Sequence, residues 1–184
     1  MTLIRAPLYA VALFAISVVL AAILERSLLA PPSALSHLMP QDPRPAPDVA
    51  FDDFAGRAHR LSNFRGRFIL FNLWATWCAP CVREVPALAR LSMEMPHDRF
   101  LVVAVALPPG SARETHDFLV AHEASALPTY FDSQTSSRPI LRGRGLPLTI
   151  LVDPRGREVA RAWGPVEWDS PETVASIRTL TGIR

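Results

Sequence analysis

Cys78 and Cys81 are the only two cysteines in the chain, and they lie three residues apart in the stretch WATWCAPCVREVP, Trp74 to Pro86. Two sulfurs at this spacing suit three chemistries: half of a tetrahedral zinc site, a structural disulfide, or a pair that exchanges two electrons. A structural zinc site needs four ligands, and neither a second cysteine pair nor a close histidine pair follows. His37, His59, His97, His116 and His122 are dispersed and read as surface or locally bonded residues. A purely structural bridge is also a poor reading, because closing so short a loop restrains the unfolded chain little. Thiol–disulfide exchange is the chemistry that remains, and it needs no bound cofactor, since both electrons reside on the sulfurs.

Exchange requires the two sulfurs to differ, and the flanking elements supply the difference. RFILFNLWA (67–75) and RFLVVAVAL (99–107) are near-continuous apolar runs of strand length, as expected for strands buried on both faces of a sheet. Between them, Val82, Val85, Leu88 and Ala89 are spaced for one face of a helix over Pro80 to Met93. Cys78 then lies at a helix amino terminus, where unpaired N–H groups and the helix dipole favour a thiolate, so it is the attacking sulfur. Cys81, about one turn further in, faces back toward it and is the resolving thiol.

Further along, Ser111 and Glu114 have capping-box spacing for a helix to Ala121. PLTILVD (Pro147 to Asp153), the turn DPRG and REVARAW (Arg157 to Trp163) predict an antiparallel hairpin. Ser170 and Pro171 open a last helix to Leu180. The expected class is α/β, with a central mixed sheet flanked by helices.

The amino-terminal quarter reads differently. Arg5 precedes an uncharged apolar run from Ala6 to Leu24, long enough to cross a hydrocarbon core as a helix. A cleaved signal usually has a shorter apolar region, so residues 1–25 are read as an uncleaved signal anchor, with cleavage as the alternative. Arg5 and the terminal amine before the span, against Glu25 and Arg26 cancelling after it, place the amino terminus in the cytoplasm. The domain is then expected on the periplasmic side of a bacterial inner membrane, where disulfides persist. Pro31, Pro32, Pro40, Pro43 and Pro45 predict a semi-rigid linker over 26–46, followed by the folded domain at 47–184. The net charge is only +2, and the positive charge is entirely arginine without a long run, which argues against nucleic acid. The short basic patches Arg57 to Arg67 and Arg138 to Arg144 read as solvated loops, with docking of an acidic partner as the alternative.

The stretch WATWCAPC resembles the active-site segment of membrane-anchored thioredoxin-like proteins of the TlpA/ResA type, relatives of the cytochrome c maturation thiol reductases. The similarity runs from about Pro47 to the end and is most specific in FRGRFILFNLWATWCAPCVREVPAL and GLPLTILVDPRGREV. It implies a thioredoxin-like fold, with Pro147 as the cis proline beside the sulfurs; the alternative is a trans proline opening a strand. Leu146 would offer backbone groups to an extended client segment, and Pro86 matches a proline that kinks the first long helix. The buried acid of ordinary thioredoxins falls here on Asn72, which cannot take a proton at neutral pH. Glu84 matches a glutamate near the active site of ResA-like proteins and would accept or return the proton of Cys81; the alternative is an exposed helix glutamate. Trp77 resembles a residue that covers the active-site surface and is read as a partner contact, and Trp74 as packing.

In function, the resemblance implies a reductant for disulfides of exported proteins, such as an apocytochrome c or a copper-site assembly factor. Electrons would come from a transmembrane donor of the DsbD/CcdA type. GLPLTI lacks the acidic residue that often follows the cis proline in the cytochrome branch, which weakens that assignment. Two other classes stay open: a peroxiredoxin-like antioxidant, and a Cu(I) carrier using the same two sulfurs as soft ligands.

Overall fold

A computed structural model describes residues 38–184. The expected apolar span at residues 6–24 lies outside the described residues, and no helix among those described is long and apolar enough to cross a membrane. One sheet of eight strands organises the domain: β1 (Met39–Pro45), β2 (Ala50–Asp52), β3 (Ala58–Arg60), β4 (Phe68–Trp74), β5 (Phe100–Ala106), β6 (Thr129–Phe131), β7 (Leu148–Val152) and β8 (Arg157–Trp163), in the order β1-β8-β7-β4-β5-β6-β2-β3. β4, β5 and β6 run parallel, β7 runs antiparallel to β4, and β8 runs antiparallel to β7.

The apolar runs form the centre of this sheet for the reason their composition suggests. Along β4, Leu70 and Trp74 face one buried cluster, while Ile69, Phe71 and Leu73 face the other. Both faces are covered, so a strand without polar alternation is stable only here. The crossover from β4 to β5 is the helix α1 (Ala79–Glu94), whose Val85, Leu88 and Leu91 are buried in the same cluster as Leu70 and Trp74. Pro86 lies inside it.

The remaining α-helices among the described residues are α2 (Ala112–Ala121), the single turn α3 (Arg138–Leu141) and α4 (Pro171–Thr181). In α2 the Ser111 hydroxyl accepts from the Glu114 amide at 3.2 Å, and the Glu114 carboxylate accepts from the Ser111 amide at 2.7 Å. Replacing Ser111 with alanine should therefore cost about 1 kcal/mol, visible as a lower urea midpoint with an unchanged slope. At α4, Ser170 caps the first turn, and the helix ends at Gly182 in the left-handed region at φ 67°.

The proline-rich segment departs from expectation. Met39–Pro45, read as part of a linker over 26–46, is an edge strand paired with β8, and Leu38 before it is buried. The folded domain thus begins before residue 47. Prolines are tolerated because an edge strand needs partners on one side only. The pairing also shifts register between Pro40 and Arg44, which accommodates the ring that cannot donate. Arg44 secures the edge through Glu158 at 2.9 Å, and Arg161 binds the same carboxylate at 2.7 Å.

In the first basic patch, Arg57 pairs with Asp53 at 2.8 Å and Arg60 with Asp48 at 3.2 Å. In the second, Arg138 to Leu141 form α3, and Arg144 lies over the Trp163 ring at 5.2 Å. Arg57, Arg60 and Arg144 are thus engaged within the domain.

Candidate active site

Strand β4 delivers the chain to the carboxyl edge of the sheet, and a short turn converts it to α1. The Cys78 amide donates to the Ala75 carbonyl at 3.2 Å, and Cys78 then serves as the N-cap of α1 in extended conformation. Its sulfur accepts from the Cys81 amide at 3.3 Å, and its carbonyl accepts from the Val82 amide at 3.0 Å. The two sulfurs are bonded at 2.09 Å, with Cα atoms 5.2 Å apart. Cys78 keeps 6% of its surface and Cys81 none. An incoming sulfur can therefore reach only Cys78, which is also the sulfur that the first-turn N–H groups stabilise as a thiolate. The two cysteines thus differ in exposure and in position, Cys78 capping the helix and Cys81 lying inside its first turn.

The Leu146–Pro147 peptide bond is cis, as the resemblance implies. Pro147 immediately precedes β7, whose Leu148 is opposite Leu73 of β4, and its carbonyl accepts from the Gly164 amide at 3.0 Å. Leu146 is half-buried and packs at the junction of the two apolar clusters. The proline loop therefore sits beside the strand end that carries the cysteines.

Trp77 is 58% exposed, with its indole N–H donating to the Pro108 carbonyl at 3.3 Å. The ring is thus held over the surface next to Cys78 while its face stays open. Beyond Pro108, a groove of about 280 Å³ opens between Phe54, Leu107 and Phe131 at the ends of β5 and β6. Trp74 is fully buried and packs against Phe118 at 5.7 Å, so it is packing, as its position in β4 suggests.

Glu84 is not an exposed helix residue. It is 2% exposed, on the inward side of α1 one turn beyond Cys81. Its Oε1 accepts from Asn72 Nδ2 at 2.9 Å, and its Oε2 accepts from the Trp168 indole N–H at 3.1 Å and the Val166 amide at 3.2 Å. Asn72 also donates to Thr149 Oγ1 at 2.9 Å. Burial pushes the Glu84 carboxyl up to about 7 against the opposing pull of these three donors, so it can gain or lose a proton near neutrality. That is the range a general base or acid requires.

Sequence reasoning recognised Glu84 but missed Thr149, Val166 and Trp168, and read Asn72 only as an absent acid. A signal for Asn72 was present: a lone amide inside the apolar run FILFNLW must find buried partners. No local pattern marks Trp168, which lies 84 residues from Glu84.

A mixed sheet, a crossover helix with a cysteine pair at its amino terminus and a cis proline beside it define a thioredoxin-like protein carrying a redox-capable disulfide. The chain belongs to the AhpC/TSA family, whose model matches residues 43–180. Among curated relatives it is similar to the thiol-disulfide oxidoreductase ResA of Geobacillus thermodenitrificans, 31% identical over 115 residues, covering 61% of this chain and 63% of that one. It is also similar to ResA of Bacillus subtilis, 28% identical over 114 residues, covering 62% and 63%. The chain thus spans less than two thirds of the length of these relatives. In fold it is similar to a thiol:disulfide interchange protein from Bacteroides sp., with a TM-score of 0.65, 20% identity and coverage of 77% and 91%.

Proposed function

We propose that this protein is a thiol:disulfide oxidoreductase that reduces disulfides in exported partner proteins, within cytochrome c maturation or copper-site assembly. The observation that carries this reading is the Cys78–Cys81 disulfide at the start of α1, with one sulfur reachable and a buried carboxyl one turn behind the other. In the reduced protein the Cys78 thiolate attacks a client disulfide; that bond breaks, one client thiolate leaves, and a mixed disulfide forms. Cys81 then gives its proton to Glu84 and attacks the Cys78 sulfur. The second client thiolate departs, two electrons have passed to the client, and the Cys78–Cys81 disulfide is restored. Leu146 and Pro147 line the approach for an extended client segment, and Trp77 contacts its surface.

Reduction in an oxidising compartment needs a supply of electrons, and a transmembrane donor of the DsbD/CcdA type fits that need. The apolar run at residues 6–24 would hold the domain beside such a donor on the periplasmic face, raising its effective concentration.

The equilibrium potential of the Cys78–Cys81 couple tests the direction. A value near that of thioredoxin, about −270 mV, is expected, together with catalytic reduction of a protein disulfide by a dithiol donor. A value close to that of DsbA, about −120 mV, would make the protein an oxidant instead. The AhpC/TSA family match favours a second reading, a peroxiredoxin-like antioxidant, for which turnover of peroxide by catalytic amounts of protein is the discriminating result.

A further inference from the structure

We propose that Trp168 and Asn72 are positioning residues for the proton transfer between Cys81 and Glu84, gripping the two carboxylate oxygens from opposite sides. This rests on the proposed exchange reaction and extends it to residues outside the cysteine motif.

The argument starts from what faces Glu84. Strand β4 presents the Asn72 amide, with Thr149 of β7 behind it; the segment between β8 and α4 presents the Val166 amide and the Trp168 indole. Trp168 is fully buried, and an indole N–H can only donate. Both Asn72 Nδ2 hydrogens are engaged, one on Glu84 and one on Thr149, which sets the orientation of the amide. The ionisable neighbours do not compete. On α1, Arg83 and Arg90 are exposed, and Arg90 binds Asp169 at 2.6 Å; on the β8–α4 segment, Glu167 is exposed. In the reduced protein the remaining titratable groups on this side of α1 are Cys78 and Cys81 themselves.

Every side chain and amide bonded to Glu84 is therefore a donor, and this cage complements the anion. When Cys81 passes its proton to the carboxylate, the new hydroxyl meets donors on both sides. One group can adapt: Asn72 Oδ1 is buried without a partner among the described residues, and rotation of the amide brings it to the protonated oxygen. Trp168 cannot adapt, and both it and the Asn72 amide as oriented hold Glu84 toward the ionised form, the rotation of Asn72 only limiting the cost of protonation. Losing either donor should raise the proton affinity of Glu84.

The test is the pH dependence of the resolving step, followed by single-turnover decay of the mixed disulfide. Trp168→Phe keeps a ring in place but removes the N–H. The limb governed by Glu84 should move up by about one pH unit, slowing resolution roughly tenfold well below the midpoint. Asn72→Ala acts on the other oxygen and should shift the limb the same way, which keeps the test available if Trp168→Phe does not fold. A titration of the Glu84 carboxyl by carbon-13 NMR should show the same displacement, and in a Glu84→Gln background, where the limb is lost, neither substitution should change the pH dependence that remains. If Glu84→Gln removes the limb but neither single variant displaces it, the positioning role is wrong and the role of Glu84 stands. A limb that survives Glu84→Gln would instead sink the proton-transfer reading on which this inference rests.

Discussion

Replacing Cys78 with serine should reduce turnover of a protein disulfide by more than about 10³-fold, because no other sulfur can make the first attack. Cys81 is wholly buried and lies inside the first turn of α1, so it cannot substitute for Cys78. Replacing Cys81 with serine has a different consequence. Cys78 keeps its place at the helix amino terminus and still attacks, but nothing resolves the product, so a covalent complex with the client accumulates. Non-reducing electrophoresis and mass spectrometry of the trapped species will identify the linkage as Cys78 to client. The same geometry predicts that alkylation of the reduced protein modifies Cys78 well before Cys81. Preferential labelling of Cys81, or sustained turnover by Cys81→Ser, would invert the assigned roles. Cys81→Ser also provides a route to the client, since it holds it covalently.

The folded protein should lose stability across a window set by Glu84. Its carboxyl is raised from 4.5 to about 7 by burial, so between those limits the folded chain keeps a proton that the unfolded chain releases. The sign follows directly: this contribution is fully present below pH 4.5 and is lost as pH rises through about 7. At about 1.4 kcal/mol for each pH unit of displacement, it amounts to about 3 kcal/mol. Asp53 acts in the opposite sense and a lower window. The Arg57 amide bonded to it, outweighing its burial, holds it well below the usual carboxylate value of 3.8, so its share is lost only as pH falls beneath that value.

Glu84→Gln isolates the upper window, and rotation of the Asn72 amide can satisfy the new side chain. Urea unfolding of both oxidised proteins from pH 4 to 8 should show their stability difference changing by about 3 kcal/mol in favour of the variant. With the disulfide closed, neither cysteine titrates, so a difference that stays constant with pH would mean that Glu84 does not hold its proton to neutrality. The functional meaning is direct: a carboxyl that costs stability when ionised is poised to take a proton from Cys81.

Much of this arrangement is legible in the chain because it depends on neighbours in sequence. The runs around Leu70 and Val103 are buried on both faces because they contain no polar alternation, and α1 begins at Cys78 because Pro80 suits a first turn and the Cys78 sulfur can cap it. The capping box at Ser111, the DPRG turn and the hairpin are likewise local. The proline-rich segment misled because proline forbids only a central strand; whether Met39–Pro45 pairs depends on the free edge of β8, more than 110 residues away.

The chemistry divides along the same line. The order of the sulfurs, outer Cys78 and inner Cys81, follows from three residues of spacing at a helix start, and the sequence by itself determined it. The state of Glu84 does not follow from its position on a helix, which would suit an exposed carboxylate equally well. Only the tertiary structure decided it, because Asn72 on β4 and the pair Val166 and Trp168 before α4 come from segments distant in sequence, and burial against distant partners is what shifts a proton.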